Sequence, residues 1–417
     1  MAAAAFDSEL GSFVDEITAD LCRFECAAAA GCPPSDVSIE REVTLAPDVH
    51  ADVRVSPSKG PPYFVENKLA YRVADLVARI RYKYGAVSPA WRGARRLAVL
   101  LDRSTVPATI DIDAALKAAA SGLSVEVWDV KDFLRRIRET FGTEITAISR
   151  ASLLDVRTAI ELAQWRLAYD GKYTGDVRTT TLLWHFSPWE LARLHREEGL
   201  GPDDLLQPRV YDEAVVVMAD LCSFSSYVRD TRDSTMIHRR LTEYYSLARY
   251  AVLNEGGMLY QFVGDEVVGV FGLHRPPATA VVQALTCARS LFAAGTSVSR
   301  RWQRAIDRVQ PSKGVHIGLA MGDLDLMPFR PFSRTHLGFM GEALNLAARL
   351  MGEAAADQAM ATNTFYTAID ETWRRAFEAI EPVEAKNVGC IQGWRTTREA
   401  LESFWPRAET TRGRSRR

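Results

Sequence analysis

Nowhere is the 417-residue chain apolar for the 18 or more residues that a membrane-spanning helix requires, so no membrane partner is expected. The opening Met1–Phe6 has neither the basic start nor the apolar core of a secretory signal, and the expected location is the cytoplasm. No sign of charge dominates. Lys and Arg total 51 against 53 Asp and Glu, a formal net charge of -2, which gives no general attraction to nucleic acid or to an anionic surface. Nucleic acid is therefore not an expected partner. Cysteine is scarce: the six, at positions 22, 26, 32, 222, 287 and 390, form no CxxC pair. A zinc site from Cys22, Cys26, Cys32 and His50 is conceivable, but reduced, packed thiols are the expectation. No internal repeat at a fixed period occurs. What remains is ordinary globular composition, 47% hydrophobic and 25% charged, with length for two to three domains.

The first segment, 1–145, reads as a complete α/β domain. Helical spacing over residues 6–29 ends at Gly31 and Pro33-Pro34. Strand patterns follow at Ser38–Leu45, Ala51–Val55 and Tyr63–Leu69, then a helix at Ala70–Tyr84. Leu97–Leu101 is a buried-strand run, Ile112–Ala120 a helix, Leu123–Val130 a strand and Lys131–Phe141 a helix. Residues 146–205 form a charged, Trp-containing helical connector, and a second α/β domain spans 206–400. Its pattern is a strand (Glu213–Ala219), one long helix (Ser226–Leu253), two strands around Gly264-Asp265 and a helix (Ala278–Ala294). A strand (Gly314–Met321), a helix (Glu342–Met351) and a closing β segment complete it. Residues 401–417, with Arg412, Arg414, Arg416 and Arg417, read as a basic disordered tail.

The chemistry lies in the second domain. One apolar strand ends in Asp220, followed by Leu221-Cys222-Ser223-Phe224-Ser225, and another ends in Gly264-Asp265. A carboxylate at an apolar strand end is costly unless solvated, paired or metal-bound. Two on neighbouring strands suit hard divalent cations, which prefer oxygen ligands. Further on, Asn345 and Arg349 are four apart and share one helix face, and Lys386 precedes a Gly-ended turn.

In this order and spacing, Asp220, Gly264-Asp265, Asn345/Arg349 and Lys386 resemble the class III nucleotidyl cyclases over roughly residues 209–397. The resemblance implies a palm-like α/β catalytic domain acting as a head-to-tail homodimer with shared sites. One copy would supply Asp220, Asp265 and the Leu221 carbonyl to two divalent cations, Mn2+ or Mg2+. The other would supply Asn345 to the ribose and Arg349 to the α-phosphoryl group. Backbone N–H groups of Cys222, Ser223, Phe224 and Ser225 would cradle phosphate oxygens, and Lys386 the terminal phosphate.

The base-reading positions depart from the purine patterns. Adenylate-specific members carry Lys four residues before the hairpin Asp and Asp three before the Gly opening the Asn/Arg helix; guanylate-specific members carry Glu and typically Cys. Here the residues are Gln261 and Gly338, with Thr335, His336, Tyr211 and Tyr260 open as further lining. This combination looks like the Pycsar pyrimidine cyclases, bacterial anti-phage enzymes. The resemblance implies UTP as substrate ahead of CTP, with cyclic UMP acting on a downstream effector. The alternatives are an adenylate cyclase or a non-catalytic nucleotide-binding regulator.

The first domain holds Asp52, Glu66 and Lys68, a D-x13-E-x-K string, and its α-β-β-β-α-β order resembles restriction-type nucleases. The other expectation is a regulatory domain in which these three form a surface ion network.

Overall fold

The computed structural model describes residues 8–46, 49–69, 71–86, 93–120, 122–149, 153–173, 178–329, 336–385 and 389–404. The chain divides into two compact units, Met1–Thr174 and Gly175–Arg417.

The first unit is built on a mixed sheet of order β1-β2-β3-β4-β5. Helix α1 (Ser8–Ala30) precedes an antiparallel meander of β1 (Ser38–Ala46), β2 (Val49–Ser56) and β3 (Tyr63–Asn67). Helix α2 (Val73–Ile80) runs on into a π-helical turn over Arg81–Ala86 and leads to β4 (Arg96–Leu101), parallel to β3. Helix α3 (Ile112–Ala119) leads to β5 (Ser124–Asp129), parallel to β4, and α4 (Val130–Phe141) follows. Leu97–Leu101 are all buried, which is why that strand reads as one apolar run without alternation.

The expected connector is divided between the units. Helix α5 (Leu153–Ala168) is tied into the first, where Gln164 donates to Asp20 at 2.7 Å and Arg157 lies over the Phe13 ring. Helices α6 (Arg178–His185) and α7 (Pro188–Glu198) belong to the second, where His185 Nδ1 bonds the Leu259 carbonyl at 2.5 Å. Helix α5 packs on α1 and α4, and α6 packs on β7, so no separate connector forms.

The second unit runs β6 (Arg209–Leu221), α8 (Phe224–Asp230), α9 (Ser234–Asn254), β7 (Met258–Val263), β8 (Glu266–Phe271) and α10 (Pro277–Ile306). Then come β9 (Val315–Phe329), β10 (His336–Met340), α11 (Glu342–Glu353), β11 (Gln358–Thr362), α12 (Asn363–Ala368) and α13 (Glu371–Arg374). Short strands β12 (Glu378–Ala379), β13 (Val383–Ala385), β14 (Gly389–Ile391) and β15 (Gly393–Thr397) end it. The main sheet is ordered β12-β15-β11-β9-β6-β8-β7, with β10 paired to β9. The helix expected over Ser226–Leu253 is two helices. Thr231 turns to extended geometry, its hydroxyl accepts from Trp302 Nε1 at 2.9 Å, and Asp233 caps α9 through the Thr235 N–H. Residues 398–404 are helical with Leu401 fully buried, so the expected tail boundary at 401 falls inside packed structure.

The pleat decides what faces the site. Val215, Val217, Ala219 and Leu221 of β6 share one core with Val315, Ile317, Leu319 and Met321 of β9 and with α9 and α10. Residues between them point to the opposite face, which carries Asp220, His316 and Gly318. Helix α11 lies on that face. A Cβ at Gly318 would stand 1.9 Å from the Ala347 carbonyl oxygen, so only glycine lets α11 approach β9 this closely.

Candidate active site

Asp220 occupies the penultimate position of β6, beside β8, and Asp265 sits in the β7–β8 hairpin. Gly264 supplies the left-handed turn (φ +64°) that reverses the chain there. The Tyr245 hydroxyl donates to the Gly264 carbonyl, and its ring stacks on Phe262 at 4.2 Å, so α9 fixes the hairpin. The two carboxyl groups come together as the strand-end spacing implies, and their environments differ. Burial pushes Asp265 up to about 8, reinforced by hydrogen bonding to Asp220 and by that residue's charge. At Asp220 burial also works upward, but hydrogen bonds from His316 and Asp265 outweigh it and the net shift is downward. Asp265 Oδ2 is buried and has no hydrogen-bond partner among the described residues. Glu266, also raised by burial and by Asp220, adds a third acid nearby.

Two carboxylates at one place, one with a bare buried oxygen, form an oxygen donor set that a divalent cation fits. Among the described residues no group of three or more His, Cys, Asp or Glu is placed to ring a metal unaided. The remaining ligands would therefore be backbone carbonyls, water and substrate phosphates, the usual arrangement for Mg2+.

Sequence reasoning missed His316. It lies directly across the ladder from Asp220, and its Nε2 is 3.2 Å from Asp220 Oδ2. The Val-His-Ile-Gly run shows only that His316 and Gly318 share a face. Which residue stands opposite depends on the β6/β9 register, which contains a bulge between Tyr211 and Ala214.

The loop after β6 carries the residues expected to cradle phosphate. Ser223 takes the left-handed conformation (φ 63°) and begins α8, while its hydroxyl pairs with that of Ser312 at 2.7 Å. Cys222 does not belong to the cradle. Its N–H is already bonded to the Gly314 carbonyl at 3.0 Å, because it extends the β6/β9 ladder. Burial, with Asp357 and Asp220, pushes its thiol up to about 12.

Asn345 and Arg349 both lie exposed on α11. Ala343, Ala347, Leu350 and Met351 form its buried side. Neither Asn345 nor Arg349 bonds to Asp220 or Asp265 of the same chain. Lys386 lies outside the described residues, between β13 and β14.

At the base-reading positions, β7 carries a bulge between Leu259 and Gln261, which leaves Tyr260 as the extra residue. The Tyr260 hydroxyl accepts from the Phe339 N–H at 3.2 Å, and the two rings meet edge-to-face at 5.3 Å. Gln261, the next residue of β7, is half-buried, and Gly338, the residue before Phe339 in β10, is buried. Buried Tyr211 is engaged by His274 Nε2 at 3.2 Å. Thr335 and the His336 side chain lie outside the described residues.

The first unit also assembles its expected trio, with more added. Lys68 bonds Asp52 and reaches Glu66 at 2.8 Å, while Lys83 straddles both Glu66 oxygens at 2.8 and 3.0 Å. The Tyr84 hydroxyl donates to Glu66 at 2.6 Å. The expectation of a surface network is corrected: Glu66 is 0% and Lys68 5% exposed.

No protein-family model and no curated protein matches the chain. Solved structures do. The adenylyl cyclase CyaB from P. aeruginosa is 17% identical, covering 46% of this chain and 96% of that one, with a TM-score of 0.39. The guanylyl cyclase Cya2 is 19% identical over 46% of this chain and 92% of that one, with a TM-score of 0.39. A bacterial light-regulated adenylyl cyclase is 14% identical, covering 66% and 69%, with a TM-score of 0.40. At these scores the likenesses carry no weight of their own, and function rests on the residues.

Proposed function

We propose that this chain is a nucleotidyl cyclase that converts a nucleoside triphosphate, UTP by preference, into the 3′,5′-cyclic monophosphate and pyrophosphate. The observation that carries the reading is the Asp220–Asp265 pair, with its buried bare oxygen, in a unit whose α11 presents Asn345 and Arg349 exposed.

In the reaction the ribose 3′-oxygen bonds to the α-phosphorus as the α–β bridging bond breaks. The hydroxyl proton goes to solvent and pyrophosphate leaves. Asp220 and Asp265, with the Leu221 carbonyl, would hold two divalent cations. When bound, these supply a lowered pKa at the 3′-hydroxyl and neutralisation of the triphosphate. The N–H groups of Ser223, Phe224 and Ser225 hold phosphate oxygens where the chain enters α8. Arg349 offsets the charge growing on the α-phosphoryl oxygens, Asn345 orients the ribose, and Lys386 takes the terminal phosphate. Gln261 can both donate and accept and so suits the uracil edge, while Gly338 adds no charged reader. Cyclic UMP would then serve as the messenger to a separate effector in anti-phage defence.

Incubation with equal UTP, CTP, ATP and GTP in Mn2+ or Mg2+, with chromatography of the products, tests this. Cyclic UMP is expected to dominate. A dominant cyclic AMP peak would overturn the pyrimidine assignment alone. Nucleotide binding without turnover would overturn catalysis.

In this reading, as in the family it resembles, each site is shared between two copies, one supplying Asp220 and Asp265 and the other Asn345 and Arg349. Mixing inactive Asp220→Ala with inactive Arg349→Ala is then expected to restore activity at one composite site, since the other collects both changes. Absence of recovery under conditions of subunit exchange would show that sites are not shared.

A further inference from the structure

The strand alternation that sends Val315, Ile317 and Leu319 into the core sends His316 out beside Asp220, on the face of the sheet that also carries α11. The contact is specific. His316 Nε2 lies 3.2 Å from Asp220 Oδ2, with side chains 23% and 30% exposed. An ionised carboxylate is acceptor-only, so the Nε2–H is the donor in this bond. Around the same carboxylate stand the Asp265 carboxyl group, the acid of Glu266 and the Leu221 N–H. Among the groups named, His316 is the one side chain that hydrogen-bonds the acidic pair from β9.

We infer that His316 is the positioning residue of the acidic pair. It holds Asp220 by one oxygen, fixing that carboxylate so that its other oxygen and the bare Oδ2 of Asp265 are presented together to a divalent cation.

The physical case has three parts. An aspartate has two rotatable side-chain bonds, and a free one samples several rotamers, most of which turn its oxygens away from its neighbour. A hydrogen bond from a residue locked in the neighbouring strand opposes that swing, because the β6/β9 ladder fixes the separation of the two backbones. Finally, the cost of ordering Asp220 is met on folding and not on cation binding, which raises affinity without adding a ligand. Outer-shell partners of metal-binding carboxylates act in this way, and their loss typically costs about 10–100-fold in metal affinity. The role is distinct from ligation: the imidazole is already committed to Oδ2.

This inference rests on the reading of Asp220 and Asp265 as cation ligands, and its test uses binding as well as turnover. Mn2+ binding to the full chain, without nucleotide, is measured by titration calorimetry and by the loss of the free-Mn2+ electron paramagnetic resonance signal. His316→Leu is expected to weaken Mn2+ at least about tenfold with the unfolding midpoint unchanged. His316→Gln, whose amide N–H reaches a similar distance, is expected to stay within about threefold of the wild type, whereas the shorter His316→Asn follows the leucine variant. Should the leucine variant fail to fold, the Gln and Asn pair decides the matter.

Equal Mn2+ affinity in folded Leu, Asn and wild-type proteins would overturn the inference, as would loss in Gln equal to that in Leu. Failure of the cyclase reading looks different. Mn2+ would bind in a manner dependent on Asp265 and His316, yet no nucleoside triphosphate would be cyclised. Absence of Asp265-dependent Mn2+ binding in the wild type would overturn both.

Discussion

Asp265→Ala is expected to slow cyclic product formation by about a thousandfold or more while leaving the unfolding midpoint unchanged or raised. The two effects have one origin. Asp265 is partly buried beside another carboxylate with an oxygen that nothing described satisfies, an arrangement that costs folding energy. Its removal relieves that cost and also removes a cation ligand whose contribution to the transition state is several kcal/mol, about three powers of ten or more in rate. Asp220→Ala should match it in rate. Steady-state assays with thermal unfolding check both, and more than about a tenth of wild-type activity in both variants would sink the assignment. Activity and stability pulling in opposite directions is the mark of a site held in tension for function.

The second large effect belongs to the first unit. Lys68→Ala is expected to destabilise that unit by about 3–5 kcal/mol, because two buried carboxylates, Asp52 and Glu66, would then share the single cation Lys83 beside the neutral Tyr84 and Asn67 donors. Urea unfolding followed by hydrogen exchange within Met1–Thr174 gives the readout, and Glu66→Leu with Lys68→Met should recover most of the loss. An unaltered midpoint for Lys68→Ala would show that the network contributes nothing net. The same cluster sets a pH dependence of opposite signs. At Asp52 burial works upward, but Lys68 and Lys83 outweigh it and hold the carboxyl at about 2, against an ordinary 3.8. That stabilisation is complete above about pH 4 and is lost as pH falls toward 2. At Asp15 burial, reinforced by Asp52, pushes the carboxyl up to about 7. Between about pH 4 and 7 the folded unit keeps a proton that the unfolded chain has released, so Asp15 withdraws stability as pH rises through that window. Denaturation at pH 4 and pH 7 should show the difference, and Asp15→Asn should reduce it.

These residues also separate what could be read along the chain from what could not. The strand-end aspartates, the Gly264 turn and the shared face of Asn345 and Arg349 are local facts. A pleat of two and a helical repeat of 3.6 place side chains without knowledge of any partner. The helices and strands of the first unit follow for the same reason, and Leu97–Leu101 is recognisable because a strand covered on both faces has no polar alternation. Where local signals were outweighed, a distant partner was responsible. The break between α8 and α9 depends on Trp302, far along α10, bonding Thr231. Cys222 has the position of a phosphate donor, but Gly314 across the ladder takes its N–H. Lys83, in the π-helical turn over Arg81–Ala86, meets Glu66 of a strand, a contact that the helical pattern over Ala70–Tyr84 does not show. His316 is the clearest case. Its contact with Asp220 exists only because two strands separated by nearly a hundred residues pair in one register, with a bulge between Tyr211 and Ala214. Local period fixes which face a residue occupies; only tertiary pairing fixes what it meets there, because the register of distant strands is set by the packing of the whole sheet against α9, α10 and α11.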